Sequence, residues 1–324
     1  MNLAHCDAQT FIKGLPTGSI QCVICDPPFG LGEETFDKHY ARDASHVLPG
    51  YVSAPKTAES YEAWAKTWIH EIPRVLRENG TLYIVCAWNH VTDVELAIRS
   101  APRPGLTVLN HIIWKYNFGV YTRNKFVTSH YHILRCGVSK ATPTFHSRAY
   151  FDESEKLADG KSAQYADMED VWTIQKEYAP GLKKNVNKLP DKLVEKMILY
   201  STDPGDVVAD FFMGNFTTAY VAKRTGRQVA GCDLNPEACR EHIPRVNATG
   251  PTGPPATPKE SKRPPRAGEP ITDAERKRIH ERFGQLIQDG TKKDALAVLT
   301  QEFGRGYFSL VNILKSARPA TERP

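Results

Sequence analysis

The sequence predicts an α/β protein: a doubly wound, mostly parallel sheet with one antiparallel hairpin strand, followed by a small all-α module. Three observations predict it. Short apolar runs stop at acids, Cys22–Cys25 at Asp26, Val207–Ala209 at Asp210 and Val229–Cys232 at Asp233, as buried parallel strands do when they end at a ligand edge. The stretch from Gly205 to Asn235 reads strand, turn, helix, strand. From 249 onward the chain turns proline-rich and basic, and helical periodicity resumes only at 272.

The chain has 324 residues, enough for one large α/β domain and a small module. No apolar run approaches a membrane span, and Met1-Asn2-Leu3 opens without a signal-peptide pattern, so a cytoplasmic protein with no membrane partner is expected. Seven scattered cysteines fit a reducing compartment. Cys22 and Cys25 form a C-x-x-C, but residues three apart on a strand face opposite ways, so they read as core residues and not as metal ligands. Residues 251–324 carry 14 Lys and Arg against 9 Asp and Glu; the net charge of +5 therefore lies wholly in the tail.

Asn2 to Asp7 reads as a short strand and Ala8 to Leu15 as a helix closed by Pro16, with Asp7 placed to cap it. After Cys22–Cys25 comes Asp26-Pro27-Pro28-Phe29-Gly30. The prolines lack N–H groups and hold φ near one value, so the strand must stop at Asp26, itself pushed towards an extended conformation. The loop offers a carboxylate, carbonyls with no competing N–H and a ring, a set that suits a planar amine; it reads equally as a surface turn. Leu31 to Lys56 lacks periodicity and is expected as a long loop near the ligand edge. Tyr61, Trp64, Ala65, Trp68, Ile69, Ile72, Val75 and Leu76 recur at helical spacing, which predicts a core-facing aromatic stripe on a helix stopped by Asn79-Gly80. Thr81 to Ala87 is the next strand and Asn89 to Ser100 the next helix. Thr107 to Lys115 and His130 to Val138 read as paired strands. Between them, Tyr121, Arg123 and Lys125 interleave an aromatic with cations, which suits phosphate and base contacts or an ordinary solvated connection. Residues 139–189 have weak periodicity around one apolar knot at Val171-Trp172-Thr173-Ile174, and Pro190 to Tyr200 is an amphipathic helix. Beyond Asp210, Gly214 sits in a turn, Thr217 or Thr218 can cap the following helix, and Asp233 ends the second strand about 20 residues on, where an acid can hold ribose hydroxyls.

In the tail, Thr272-Asp273-Ala274-Glu275 is a capping box, Asp289-Gly290 and Gly304-Arg305-Gly306 are turns, and three helices follow. The arrangement resembles a helix-turn-helix module; a small dimerisation bundle is the alternative.

Asp26-Pro27-Pro28-Phe29 with Asp210 to Thr218 far downstream resembles the DNA amino-methyltransferases, S-adenosylmethionine-dependent enzymes that methylate adenine N6 or cytosine N4. A catalytic tetrad first and a cofactor loop last is the order of their beta class. The resemblance covers roughly residues 1–245, with Phe211 where the family usually has proline and Asn215-Phe216 where it has Ser-Gly. It implies a Rossmann-like methyltransferase sheet, circularly permuted, over 1–248, with a target-recognition insert at about 139–189, a linker at 249–271 and the helical module at 272–318. It implies Asp26, Pro27, Pro28 and Phe29 as catalytic residues. Cys6, Asp7, Asp26, Asp210, Phe211, Phe212, Gly214, Asn215, Thr217, Asp233 and Leu234 would bind the cofactor. Phe29, Tyr121, Arg123 and Lys125 would meet the DNA. The implied reaction is methyl transfer to adenine N6 of a flipped base in duplex DNA, because the family's cytosine enzymes usually carry serine at the Asp26 position. Cytosine N4 transfer is the alternative, and a degenerate DNA-binding regulator on the same scaffold is the second. A second copy of the chain and a cognate restriction endonuclease are the further partners considered, in a prokaryotic or phage, nucleoid-associated setting.

Overall fold

A computed structural model describes residues 2–30, 55, 57–117, 123–138, 142–146, 168–175, 188–252, 271–289, 291–305 and 307–316. Residues 31–54 and 56 of the loop predicted over 31–56, Tyr121, and residues 253–270 of the linker predicted over 249–271 lie outside the described residues, as do 139–141, 147–167 and 176–187 of the span read as an insert. The chain divides into two units, residues 1–259 and 260–324.

The first unit runs β1 (Asn2–His5), α1 (Ala8–Lys13), β2 (Ile20–Cys25), α2 (Ala58–Ile69), α3 (Ile72–Val75), β3 (Leu76–Cys86), α4 (Val91–Arg99), β4 (Leu106–Lys115) and β5 (His130–Val138). It continues with β6 (Val171–Thr173), α5 (Asp191–Ser201), β7 (Val207–Asp210), α6 (Thr217–Arg224), β8 (Gln228–Asp233) and α7 (Pro236–Ala248). The eight strands form one sheet in the order β1-β8-β7-β2-β3-β5-β4-β6, and β5 alone runs antiparallel to its neighbours. This is the expected doubly wound α/β architecture. The Val171 to Ile174 knot supplies β6, which pairs with β4, and Trp114 Nε1 donates to the Ile174 carbonyl at 2.8 Å.

β2 is buried along its whole length, as a central parallel strand must be. Ile20, Val23 and Cys25 enter the core layer with α1, α2 and α4, while Cys22 and Ile24 enter the layer with α5, α6 and α7. The C-x-x-C pair thus points to opposite faces, and all seven cysteines are free.

One predicted helix is two elements. α2 ends at Ile69, and a single turn, α3, carries Pro73 before β3 begins at Leu76. Pro73 has no N–H to donate one turn back, so the ladder breaks there, while the ring fits the first turn of a new helix. Asn79-Gly80 consequently does not stop a helix. Leu76 pairs with Ile20 and Thr81 with Cys22, so residues 77–80 bulge from the sheet, and a Cβ on Gly80 would lie 2.9 Å from the Arg77 carbonyl.

Gly231 faces Asp210 across β7 and β8, where a Cβ would stand 2.0 Å from the Asp210 carbonyl oxygen and 2.4 Å from Met213 Cε. Gly231→Ala must part these strands. It is expected to lower stability by at least about 3 kcal/mol in urea titration.

The second unit holds α8 (Asp273–Asp289), α9 (Lys292–Phe303) and α10 (Tyr307–Ser316) around Ile279, Leu296, Leu299, Leu310 and Ile313. Thr272 Oγ1 accepts the Glu275 N–H at 3.2 Å, as the capping box predicts. The Glu275 carboxylate also takes Arg305, 1% exposed, through Nε and Nη2 at 3.1 and 2.9 Å, which fastens the α9–α10 turn to the start of α8. Gly304, with φ 61°, is the left-handed cap of α9. Among the described residues, no helix is long and apolar enough to cross a membrane.

Candidate active site

From β2 the chain crosses through α2 and α3 to β3 on one side; from β7 it crosses through α6 to β8 on the other. The sheet therefore switches direction between β2 and β7, and the crevice at their carboxyl ends is where open α/β sheets hold ligands. Asp26 follows β2 and Asp210 ends β7, so residues distant in sequence meet at this point. A cavity of about 400 Å³ opens there.

Its walls bring together Asp7, Asp26, Pro28, Asp210, Phe211, Phe212, Gly214, Asn215, Thr217, Asp233 and Leu234, eleven of the predicted site residues. Five others are placed differently. Cys6 turns its thiol to Cys232. Pro27 is buried and Phe29 half-buried, neither side chain lines the cavity, and the Phe29 ring lies 5.2 Å from that of Tyr131. Arg123 and Lys125 are exposed and line no part of it, and Tyr121 is outside the described residues.

Each acid is set by its element. Asp7 does two jobs: it caps α1 by accepting the Thr10 N–H at 2.9 Å, and it faces the cavity. The Thr10 hydrogen bonds hold its carboxyl below the usual range. Asp233 accepts the Gly214 N–H at 2.7 Å through Oδ2 and the Asn235 N–H at 2.8 Å through Oδ1, tying together the turns after β7 and β8. Asp210 is buried, and burial pushes its carboxyl up to about 7, with the Asp233 charge adding to the rise; the Phe212 N–H and the Thr218 hydroxyl oppose it.

The turn after β7 departs from the expected capping. Thr217 and Thr218 are the first helical residues of α6, and the cap is Phe216, with φ 59° and ψ 24°. It is the one non-glycine with positive φ among the described residues, a conformation that costs a bulky side chain on the order of 1–2 kcal/mol.

The loop after Asp26 is held from below by residues that sequence reading did not single out for this role. Tyr61 Oη donates to the Pro28 carbonyl at 2.9 Å, and Asn89 Nδ2 donates to the Phe29 carbonyl at 3.2 Å. Burial raises the Tyr61 phenol, so it stays a donor. Its ring stacks on His90 at 3.9 Å, and His90 Nδ1 meets Asp93 Oδ2 at 2.6 Å. Gly30 has φ +63°, and a Cβ there would strike the Pro55 carbonyl at 2.4 Å.

The aromatic stripe of α2 is core, as predicted, but also wall. Tyr61 and Trp68 are fully buried, while Trp64 and Trp68 line the cavity and pack edge-on or tilted against Phe212 at 5.8 and 5.1 Å. Periodicity shows that a face is buried, not whether protein or ligand covers it. Gln9, Lys188 and Asn235 also line the cavity; only the N-cap position of Asn235 before Pro236 could have marked one of them. The result is a pocket with four carboxylates and a rim of rings, suited to a ligand that is cationic, hydroxylated and aromatic at once.

Residues 20–243 match the model of a family described as DNA methylase, covering adenine-N6 and cytosine-N4 enzymes. The chain is 28% identical over 255 residues to the type II methyltransferase M2.DpnII of Streptococcus pneumoniae, covering 78% of this chain and 91% of that protein. It is 25% identical over 263 residues to the DNA adenine methyltransferase YhdJ of Escherichia coli, covering 76% and 82%. Its fold is similar to that of a DNA modification methylase of Thermus thermophilus in complex with S-adenosyl-L-methionine, with a TM-score of 0.52 and 21% identity over 78% of this chain and 95% of that one.

Proposed function

Because the chain belongs to the DNA methylase family, we propose that it transfers a methyl group from S-adenosylmethionine to the N6 amine of adenine in duplex DNA. The observation that carries this reading is the meeting of Asp26 with Asp210 and Asp233 at one cavity at the switch point of the sheet.

The cavity fits the cofactor in kind. Asp210 offers a carboxylate to a cationic group, Asp7 and Asp233 offer acceptors to hydroxyls or amines, and Trp64 and Phe212 offer faces to a purine. S-adenosylmethionine, when bound, supplies the methyl group on its sulfonium. Everything else is asked of the protein. An aromatic amine is a poor nucleophile because its lone pair is delocalised into the ring. Asp26 and the Pro27 carbonyl each accept one N–H, which favours a more tetrahedral nitrogen. Pro27 is taken as the second acceptor from the likeness of Asp26-Pro27-Pro28-Phe29 to the family's catalytic tetrad, and the Pro28 and Phe29 carbonyls accept from Tyr61 and Asn89. Phe29 stacks on the extruded base, and the clamp of Tyr61 and Asn89 holds the loop for in-line attack. Aspartate at position 26 and the adenine enzyme among the relatives support adenine over cytosine.

The test is to incubate the protein with duplex DNA and methyl-labelled S-adenosylmethionine and to digest the product to nucleosides. N6-methyldeoxyadenosine is expected. N4-methyldeoxycytidine would replace the adenine reading, and DNA binding without transfer would leave a regulator.

Asp210 gives the cofactor a pH signature. With its carboxyl near 7, it is largely neutral below that pH, and a cation in the cavity favours the ionised form. Affinity for S-adenosylmethionine should therefore rise with pH, by up to about tenfold per unit below 7, and level off above it. The same raised value means that the folded state holds a proton that the unfolded chain has lost. The Asp210 contribution to stability falls as pH rises from about 4 to about 7. Calorimetry at pH 6 and pH 8, in two buffers of different ionisation heat, should show proton release at pH 6 only.

The helical unit is assigned to DNA, on the ground that residues 251–324 hold the whole net charge of +5. Thr252 N–H donates to the Arg224 carbonyl at 3.1 Å, so the methyltransferase body runs beyond 248. Removing residues 260–324 should leave cofactor binding intact, weaken DNA binding and lower the salt slope by roughly 0.9 per lost phosphate contact. A fall from dimer to monomer by light scattering, beyond the mass of the residues removed, with an unchanged slope would instead make the unit a dimerisation bundle. A cognate endonuclease and a cytoplasmic, nucleoid-associated setting belong to the same reading.

A further inference from the structure

Phe216 occupies the turn where a glycine would be at ease. It lies outside the cavity lining, while Gly214, Asn215 and Thr217 on either side of it are part of that lining. Its N–H donates to the Met213 carbonyl at 2.7 Å and its carbonyl accepts the Tyr220 N–H at 3.0 Å, so its left-handed backbone is the joint between the turn and α6. Its ring is fully buried and stacks on His242 of α7, with centroids 5.3 Å apart and planes at 25°. His242 is in turn met by Tyr220, whose Oη lies 3.3 Å from His242 Nδ1, and neither His242 nor Tyr220 lines the cavity.

A left-handed phenylalanine persists only when its surroundings over-determine it. Here the determinant is the ring: its burial against α7 selects the one backbone conformation that joins Asp210 to α6, and that conformation sets the direction of the Gly214 N–H towards Asp233. A glycine would reach the same conformation but would also visit others. We propose that Phe216 is a positioning residue for the cofactor cavity: its ring, clamped on His242, holds the Gly214–Asn215 turn preset for S-adenosylmethionine. The inference rests on the cofactor reading above and makes His242, which lines no part of the cavity, part of the affinity.

The experiment measures S-adenosylmethionine Kd by calorimetry and Tm of the unliganded protein for the full chain and its variants. Phe216→Gly should weaken binding about tenfold, the factor that ordering roughly one freed residue represents. His242→Ala, which touches nothing in the cavity, should weaken it by about threefold, and His242→Phe, which keeps a ring partner, should restore it. The double variant Phe216→Gly/His242→Ala should bind no worse than Phe216→Gly, because the clamp is already gone. A lowered Tm with Kd within twofold of the unaltered chain would make Phe216 merely a core residue and overturn the inference. So would additive losses in the double variant. Should Phe216→Gly fail to fold, the His242 pair decides alone: equal affinities for Ala and Phe overturn it. If the unaltered chain does not bind S-adenosylmethionine, the cofactor reading falls and this inference falls with it; binding by the unaltered chain with unresponsive variants sinks the inference only.

Discussion

Asp26→Ala is expected to abolish methyl transfer, by about 10²-fold or more in single-turnover rate, while S-adenosylmethionine affinity changes by less than about threefold. The carboxylate stands at the end of a buried strand, in a loop whose next two carbonyl clamps come from Tyr61 and Asn89. Removing it leaves that scaffold in place and deletes only the acceptor that the amine needs as its nitrogen changes shape. Asp26→Asn should do little better: it keeps one acceptor oxygen but loses the charge, and it adds N–H donors. Near-normal turnover in either variant would remove Asp26 from catalysis. A matching collapse of cofactor affinity would place it with the cofactor instead.

Asp233→Ala should act on the other side of the reaction, weakening S-adenosylmethionine binding by about 10²-fold with a smaller effect on the rate at saturating cofactor. Two backbone N–H groups converge on this carboxylate, from Gly214 at 2.7 Å and Asn235 at 2.8 Å. Hydrogen bonds to a charged acceptor contribute about 1.5–3 kcal/mol each, and both belong to turns that line the cavity. Asp233→Asn should not rescue binding, because its NH₂ would face one of these donors. Glutamate adds a methylene that pushes the turns apart. Calorimetry with the three variants checks this, and unchanged affinity in Asp233→Ala would show that the turns hold without it.

The strands that end at the cavity were readable because their signals are local. A buried parallel strand must be apolar throughout, and three such runs each stop at an acid, so Asp26, Asp210 and Asp233 could be placed at strand ends from sequence. The tail helices and their capping box were readable for the same reason. The helix break at Pro73 is also a local signal, masked by an apolar period that happens to continue through α3 into Leu76.

What lay beyond the sequence depends on residues meeting across the fold. The α2 stripe declares a buried face, yet Trp64 becomes a cavity wall only because β2 and β7 are neighbours and α2 overhangs the crevice at their ends. Tyr61 and Asn89 carry no motif; they become loop clamps because their donors arrive at the Pro28 and Phe29 carbonyls from other elements. Phe216 looks like a misfit in its turn until α7 supplies the ring that holds it. Apolar patterning and proline chemistry act within a few residues, and so they are written in the chain. A hydrogen bond or a stacked pair depends on the distance between groups far apart in sequence, and that distance exists only once the sheet has been assembled.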